Sequence, residues 1–229
     1  MEKAYVRSLF DKIAFRYDLL NHLLSGGIDL YWRRAAISLL SSKHPKKILD
    51  VATGTADFAI AALRLHPEKV VGVDISEQML AIGRKKIQER NCSDIIRLEN
   101  GEAERLNFSD NEFDAAMVAF GARNFEDLQQ GLNEMYRVIG KNGTIVVLEF
   151  SRPRSFVFTQ LYYLYFKHLL PLVGRIISRD TEAYRYLPDT VMKFPEGDEF
   201  LAFLHRSGFS SLREHRLTFG IATIYTGVK

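Results

Sequence analysis

Only one cysteine, Cys92, occurs in 229 residues, so no internal disulfide framework holds the chain together and its stability must come from a packed core. No apolar run reaches the ~20 residues that a membrane-spanning helix needs. Met1 to Phe15 mixes charged and apolar residues and lacks the apolar stretch of a secretory signal. Charge of neither sign dominates: 31 Lys and Arg against 28 Asp and Glu leave a net +3, which makes no case for a nucleic-acid partner. The histidines at 22, 44, 66, 168, 205 and 215 include no H-x-x-x-H pair, and no metal is expected. What these absences leave is a single domain over 1–229 in a reducing compartment, with a cytoplasmic location expected.

Glycine is also scarce where it would matter most. Ile48-Leu49-Asp50-Val51-Ala52-Thr53-Gly54-Thr55-Ala56-Asp57 reads as a strand, a tight turn and a helix start, and Val70 to Asp74 reads as the next strand. In a doubly wound sheet such a turn meets a ligand at the carboxyl edge, and an acid ending the second strand accepts from ribose hydroxyls. A dinucleotide fingerprint requires G-x-G-x-x-G to seat a pyrophosphate, yet only Gly54 is glycine here. Asp50 would repel a phosphate and attract a cation. The pattern acid-x-small-x-Gly-x-small resembles motif I of the class I S-adenosylmethionine-dependent methyltransferases. An ordinary turn in another α/β domain is the plainer alternative, and a nucleotide-binding dehydrogenase or a noncatalytic cofactor or lipid carrier stay open beside it.

Periodicity fills in the rest. Val6, Leu9, Phe10 and Ile13 share a helical face, Ser25-Gly26-Gly27 breaks the chain, and a second helix carries Trp32, Ala36 and Leu39, so a helical cap covers about 1–43. A helix is expected over Thr55–Leu65, and another after the N-cap Ser76 through Met79, Ile82 and Ile87. Strands are expected at 95–98, 113–119 and 145–149, with a helix at 127–138 between the last two. Alternation of this kind implies a parallel sheet. A helix at 198–207 and two alternating segments at 210–218 and 221–229 complete the pattern.

Between Phe150 and Arg179 stand five basic residues, Arg152, Arg154, Lys167, Arg175 and Arg179, and no acid. Phe156, Phe158, Tyr162, Tyr163, Tyr165 and Phe166 are interleaved with them. This aromatic, basic helical insertion, about 151–195, suits contact with an anionic membrane surface. A lid helix or a homodimer contact is the alternative.

Several stretches in order match one family. Phe10-Asp11-Lys12-Ile13-Ala14, Tyr17-Asp18-Leu19-Leu20-Asn21-His22-Leu23-Leu24-Ser25, Trp32-Arg33, Phe120-Gly121-Ala122-Arg123-Asn124, Glu149-Phe150-Ser151 and Tyr184 to Thr190 with Phe194-Pro195 resemble the ubiquinone/menaquinone biosynthesis C-methyltransferases over nearly the whole chain. The resemblance implies a class I methyltransferase fold of Rossmann-like type, a mostly parallel seven-stranded sheet with an antiparallel C-terminal strand. It implies C-methylation of a polyprenyl quinol: demethylmenaquinol, or alternatively 2-polyprenyl-6-methoxy-1,4-benzoquinol. The chain departs from the family at Asp29, usually His; at Ala56, usually Gly; and at Gly140-Lys141-Asn142-Gly143, usually K-P-G-G. Asp29 is not assigned catalysis, because its intrinsic pKa lies far below that of His.

Carried over residue by residue, the resemblance implies S-adenosylmethionine contacts at Thr55, Asp74, Glu102 and Ala103, with Asp50 and Gly54 in the same loop. Met79 would pack on the base, and Ala119 stands where the family has Ser. Tyr17, Arg123 and Asn124 are the candidates around the quinol: Tyr17 and Asn124 to hydrogen-bond its oxygens, Arg123 to stabilise a phenolate or hold a water. The competing reading of Arg123 is an ion pair with a nearby acid. For the insertion, the expected result is salt-sensitive flotation with anionic liposomes, lost when Arg152, Arg154 and Lys167 are neutralised; no flotation would return the segment to the lid or dimer reading.

Overall fold

A computed structural model describes residues 3–153, 160 and 182–229, without the side chains at 16, 17, 19–24, 182–185 and 187. Its centre is one seven-stranded sheet in the order β3-β2-β1-β4-β5-β7-β6. The strands are β1 (Lys47–Val51), β2 (Lys69–Asp74), β3 (Ile96–Asn100), β4 (Phe113–Ala119), β5 (Ile139–Phe150), β6 (Ser210–Leu217) and β7 (Ala222–Val228). Pairings among β1 to β5 are parallel, whereas β7 runs antiparallel to both β5 and β6. The single reversed strand arises because β6 and β7 form a hairpin whose second strand inserts beside β5.

Both faces of the central strands are apolar, as a covered parallel sheet requires. Alternate residues go to opposite sides: Ile48, Val70, Ala115 and Met117 meet one helical layer, and Leu49, Val71, Ala116 and Val118 meet the other. The first layer contains α2 (Ile28–Ser38), α3 (Asp57–Ala62) and α4 (Glu77–Glu89), through Trp32, Ala36, Phe58, Ala59, Leu80 and Ile87. The second contains α5 (Leu128–Val138) and α7 (Asp198–Arg206), through Leu132, Met135, Phe200 and Leu204. Before the sheet begins, α1 (Lys3–Leu24) lays Val6, Leu9 and Ala14 inward; α6 (Glu182–Lys193) precedes α7. Among the described residues no helix is long and apolar enough to cross a membrane.

Several boundaries differ from the periodicity reading, each for a local reason. The helix expected from Thr55 starts at Asp57, because Ala56 is left-handed at φ 68° and cannot be helical. Strand β3 extends to Asn100, where its backbone pairs with Asp74. Strand β5 begins at Ile139, because the Gly140–Gly143 stretch bulges out and pairing resumes at Thr144 opposite Ala115. Residues 154–159 and 161–181, which hold the interleaved aromatics, Arg154, Lys167, Arg175 and Arg179, lie outside the described residues.

Candidate active site

The turn after β1 has an unusual backbone. Ala52, Gly54 and Ala56 all have positive φ, at 54°, 55° and 68°, and alternate with Thr53 and Thr55, which do not. Such alternation curls successive N–H groups toward one side of the chain. One of them is taken: the Gly54 N–H donates to Asp74 Oδ2 at 2.8 Å, while Asp74 Oδ1 accepts from the Ser76 N–H at 2.9 Å. A Cβ placed on Gly54 would meet nothing within 4 Å, so a side chain there would project into open space above the turn. Ala56, in contrast, is fully buried.

That open space is a cleft of about 670 Å³, counted out to its mouth and including open solvent. Its floor is Ala52, Gly54 and Gly101; its walls include Val73, Asp74, Ile75, Met79, Ala103 and Glu104 on one side and Ala119, Phe120, Gly121 and Asn124 on the other. Helix α1 roofs it with Lys3, Val6 and Phe10. Polar contacts hold the roof: Ser76 Oγ donates to Asp11 at 2.5 Å, Thr55 Oγ1 donates to Asp18 at 2.6 Å, and Lys86 Nζ lies 2.6 Å from Asp18 and 2.7 Å from Asp57.

Of the residues expected at the cofactor, Gly54, Asp74, Met79, Ala103 and Ala119 line this cleft. The other three turn their side chains elsewhere. Asp50 is buried beneath the turn and accepts from Thr53 Oγ1 at 2.6 Å, shaping the loop from below. Thr55 faces the Asp18–Lys86 cluster under α1. Glu102 is half exposed and pairs with Lys3 at 2.7 Å without lining the cleft, whereas Glu104, 3.4 Å from the same Lys3, takes the wall, its carboxylate accepting from the Glu126 N–H at 2.7 Å. Phe10, Ile75, Glu104 and Phe120 were not assigned to the site. Phe10 and Phe120 lie in the stretches quoted for the family resemblance, and Ile75 adjoins Asp74, so position was the available signal.

The acceptor candidates separate. Asn124 lines the cleft, and its Oδ1 accepts from the Tyr186 hydroxyl at 2.8 Å. Arg123 does not line it; its guanidinium pairs with the fully buried Glu149 at 2.7 Å, also donates to the Phe120 carbonyl, and stacks 5.4 Å from the Phe150 ring. The Glu149 carboxylate further accepts from the Phe150 N–H at 2.9 Å. The ion-pair alternative for Arg123 is thus the arrangement present. The Tyr17 side chain lies outside the described residues. Asp29 is buried in α2, paired with Arg33 and accepting from Ser25 Oγ at 2.7 Å, with the Arg33 guanidinium 5.3 Å from the Phe120 ring.

Burial raises two carboxyl groups around the turn. Asp50 is pushed up to about 7, against the opposing Thr53 hydrogen bond and Arg33 charge. Asp74 is pushed up to about 6 by burial, against the N–H groups of Ser76, Gly54 and Ile75, with the Asp11 charge adding to the rise. A cleft walled by Asp74 and Glu104, with a lysine only in its roof, suits a cationic, hydroxyl-bearing ligand better than a pyrophosphate.

The ubiE/COQ5 methyltransferase family model matches residues 1–229. The chain is 48% identical over 225 residues to a demethylmenaquinone methyltransferase of Bacteroides fragilis, covering 98% of this chain and 92% of that protein. It is 46% identical over 226 residues to a ubiquinone/menaquinone biosynthesis C-methyltransferase, UbiE, of Geobacter sulfurreducens, with 98% and 88% covered. Among solved structures, the [4+2]-cyclase SpnF superposes with a TM-score of 0.69 at 16% identity, covering 98% of this chain and 95% of its own. A SAM-dependent methyltransferase from Aquifex aeolicus gives 0.55 at 15% identity, covering 80% and 81%. These two likenesses concern the fold, which a cyclase and a methyltransferase share.

The left-handed Ala56 yields a stability test. Ala56→Gly relieves ~1–2 kcal/mol of backbone strain but loses a buried methyl of ~0.8 kcal/mol and gains ~0.4–1 kcal/mol of unfolded-chain entropy. Its urea midpoint should therefore correspond to a change within ~1 kcal/mol of wild type. Ala59→Gly, a buried position inside α3 with no strain to relieve, should cost ~2 kcal/mol. Equal losses in the two variants would contradict strain at Ala56.

Proposed function

The chain belongs to the ubiE/COQ5 methyltransferase family, and from that premise we propose that it methylates a ring carbon of a polyprenyl quinol, demethylmenaquinol to menaquinol, with S-adenosylmethionine as donor. The observation that carries this reading is the meeting of Asn124 with Gly54 and Asp74 in one cleft.

The residues present fit the donor. The Asp74 carboxylate, anchored by two N–H groups, keeps lone pairs for ribose hydroxyls. Met79 and Ile75 offer apolar surface to a base, and the absent side chain of Gly54 leaves room above the turn. When bound, S-adenosylmethionine supplies an electrophilic methyl group on a cationic sulfur. The acceptor needs positioning and charge stabilisation: a quinol hydroxyl that loses its proton pushes charge onto the neighbouring ring carbon. Asn124 is the residue placed to hydrogen-bond that oxygen. Arg123 acts behind it, in this reading, by fixing the Phe120–Asn124 turn through Glu149 and the Phe120 carbonyl. Phe10 and Phe120 supply aromatic walls for a flat ring.

Incubation with methyl-labelled S-adenosylmethionine and, separately, reduced demethylmenaquinone and the methoxybenzoquinol should place label in the naphthoquinol. Label in neither quinol would defeat the substrate class. Cofactor binding should also report Asp74: because its carboxyl is held near 6, affinity measured by calorimetry should fall ~10-fold per pH unit below about 6. The unliganded fold should respond with the opposite sign, gaining stability as pH falls from about 7 toward 4, since both raised carboxyls hold their protons more tightly when folded. An Asp74→Ala variant that binds as tightly as wild type would contradict the ribose assignment.

A further inference from the structure

Tyr186 belongs to neither the cofactor wall nor the residues first considered around the acceptor. It reaches Asn124 from α6, 62 positions along the chain, and only 9% of it is exposed. Its ring packs between Tyr5 and Phe10 of α1, at centroid distances of 6.1 and 6.4 Å. Its hydroxyl donates to Asn124 Oδ1. The backbone at Asn124 is fixed independently, its N–H donating to the Gly121 carbonyl at 3.0 Å. Among the described residues, the Asn124 Nδ2 has no hydrogen-bond partner.

A carboxamide carries one acceptor end and one donor end, and satisfying one fixes which end the other partner meets. We infer that Tyr186 is a positioning residue that holds the Asn124 carboxamide oxygen so that the amide N–H groups face the cleft, making the acceptor site selective for an aromatic oxyanion. The inference rests on the quinol reading of this cleft and deepens it. A carboxamide free to rotate would offer its oxygen about half the time, and that oxygen would repel a phenolate. Burial pushes the Tyr186 hydroxyl up to about 12, so it stays a donor throughout the range in which the enzyme would work. Donors preset toward a developing oxyanion are the arrangement that lowers a barrier without reorganisation.

The test is a double-mutant cycle with steady-state kinetics at saturating donor. Asn124→Ala should lower kcat ~100-fold, as loss of an oxyanion donor does. Tyr186→Phe, which keeps the ring between Tyr5 and Phe10, should lower kcat ~10-fold with KM for the quinol and Kd for S-adenosylmethionine within about twofold. In the Asn124→Ala background the same Tyr186→Phe change should have less than a twofold effect. Asn124→Asp keeps the acceptor for Tyr186 but removes the donor, and should be as impaired as Asn124→Ala. An equal Tyr186→Phe loss in both backgrounds, a changed donor Kd in place of kcat, or full activity in Asn124→Asp would each overturn the inference.

A second readout separates this failure from failure of the quinol reading. With the donor-loaded protein and 4-nitro-1-naphthol, whose colour reports its ionisation, wild type should shift the probe's titration to lower pH and Tyr186→Phe should diminish that shift. Wild type that labels no quinol yet shows the shift would sink the substrate and leave the lock standing. Labelling without any shift, or a shift unaltered by Tyr186→Phe, would sink the lock.

Discussion

The Asp74 carboxylate ties together the pieces of chain from which the cleft is built. One oxygen takes the Gly54 N–H and so clips the turn after β1 to the end of β2; the other takes the Ser76 N–H and starts the turn into α4. Ser76 then accepts from the Met79 N–H at 3.2 Å as the helix cap, and its hydroxyl donates to Asp11 in the roof. A single carboxylate therefore connects floor, wall and roof. Its burial raises its proton affinity, and the N–H groups around it work against that rise. The group that holds the loop is also the one offered to a ligand, so loop geometry and binding share one titration.

The far wall depends on a different buried charge. Glu149 ends β5 wholly inside the protein, and Arg123 meets it with 5% of its side chain exposed. Removing one partner of such a pair leaves a buried charge uncompensated, at ~3–5 kcal/mol. Here the pair also spans two adjacent parallel strands, because Arg123 follows β4 and Glu149 belongs to β5. It thereby sets the course of the chain from Phe120 to Asn124. An arginine so engaged is ill-suited to accept a proton and well suited to hold a turn in place. Asn124, next in the chain, stays on the cleft wall, its carboxamide oxygen accepting from the Tyr186 hydroxyl.

The elements were legible because their signals are local. Short apolar runs marked β1, β2 and β4, Ser76 announced its helix as an N-cap, and the order of short motifs indicated the family. Boundaries slipped where one residue's conformation overrode the pattern. Ala56 is itself a good helix former yet is left-handed, at the end of a turn that curls its N–H groups toward one side. Nothing in an alanine's propensity reveals that.

What the sequence by itself determined was the succession of strands and helices, the place of the turn after β1 and the membership of the chain in its family, since each is written in residues close along the chain or in a fixed order. Only the tertiary structure decided which side chains face the cleft. Glu102 and Glu104 are both acids beside Ala103, and Lys3 lies near both; Glu104 is held on the wall by the Glu126 and Asp127 N–H groups, 22 and 23 positions further on, which donate to its carboxylate. Arg123 and Asn124 are adjacent, and Glu149 and Tyr186, 26 and 62 positions distant, draw one behind the wall and set the other upon it. The turn fixed by Gly54 and Asp74 could be read along the chain; the partners that orient its surroundings meet only when the chain folds.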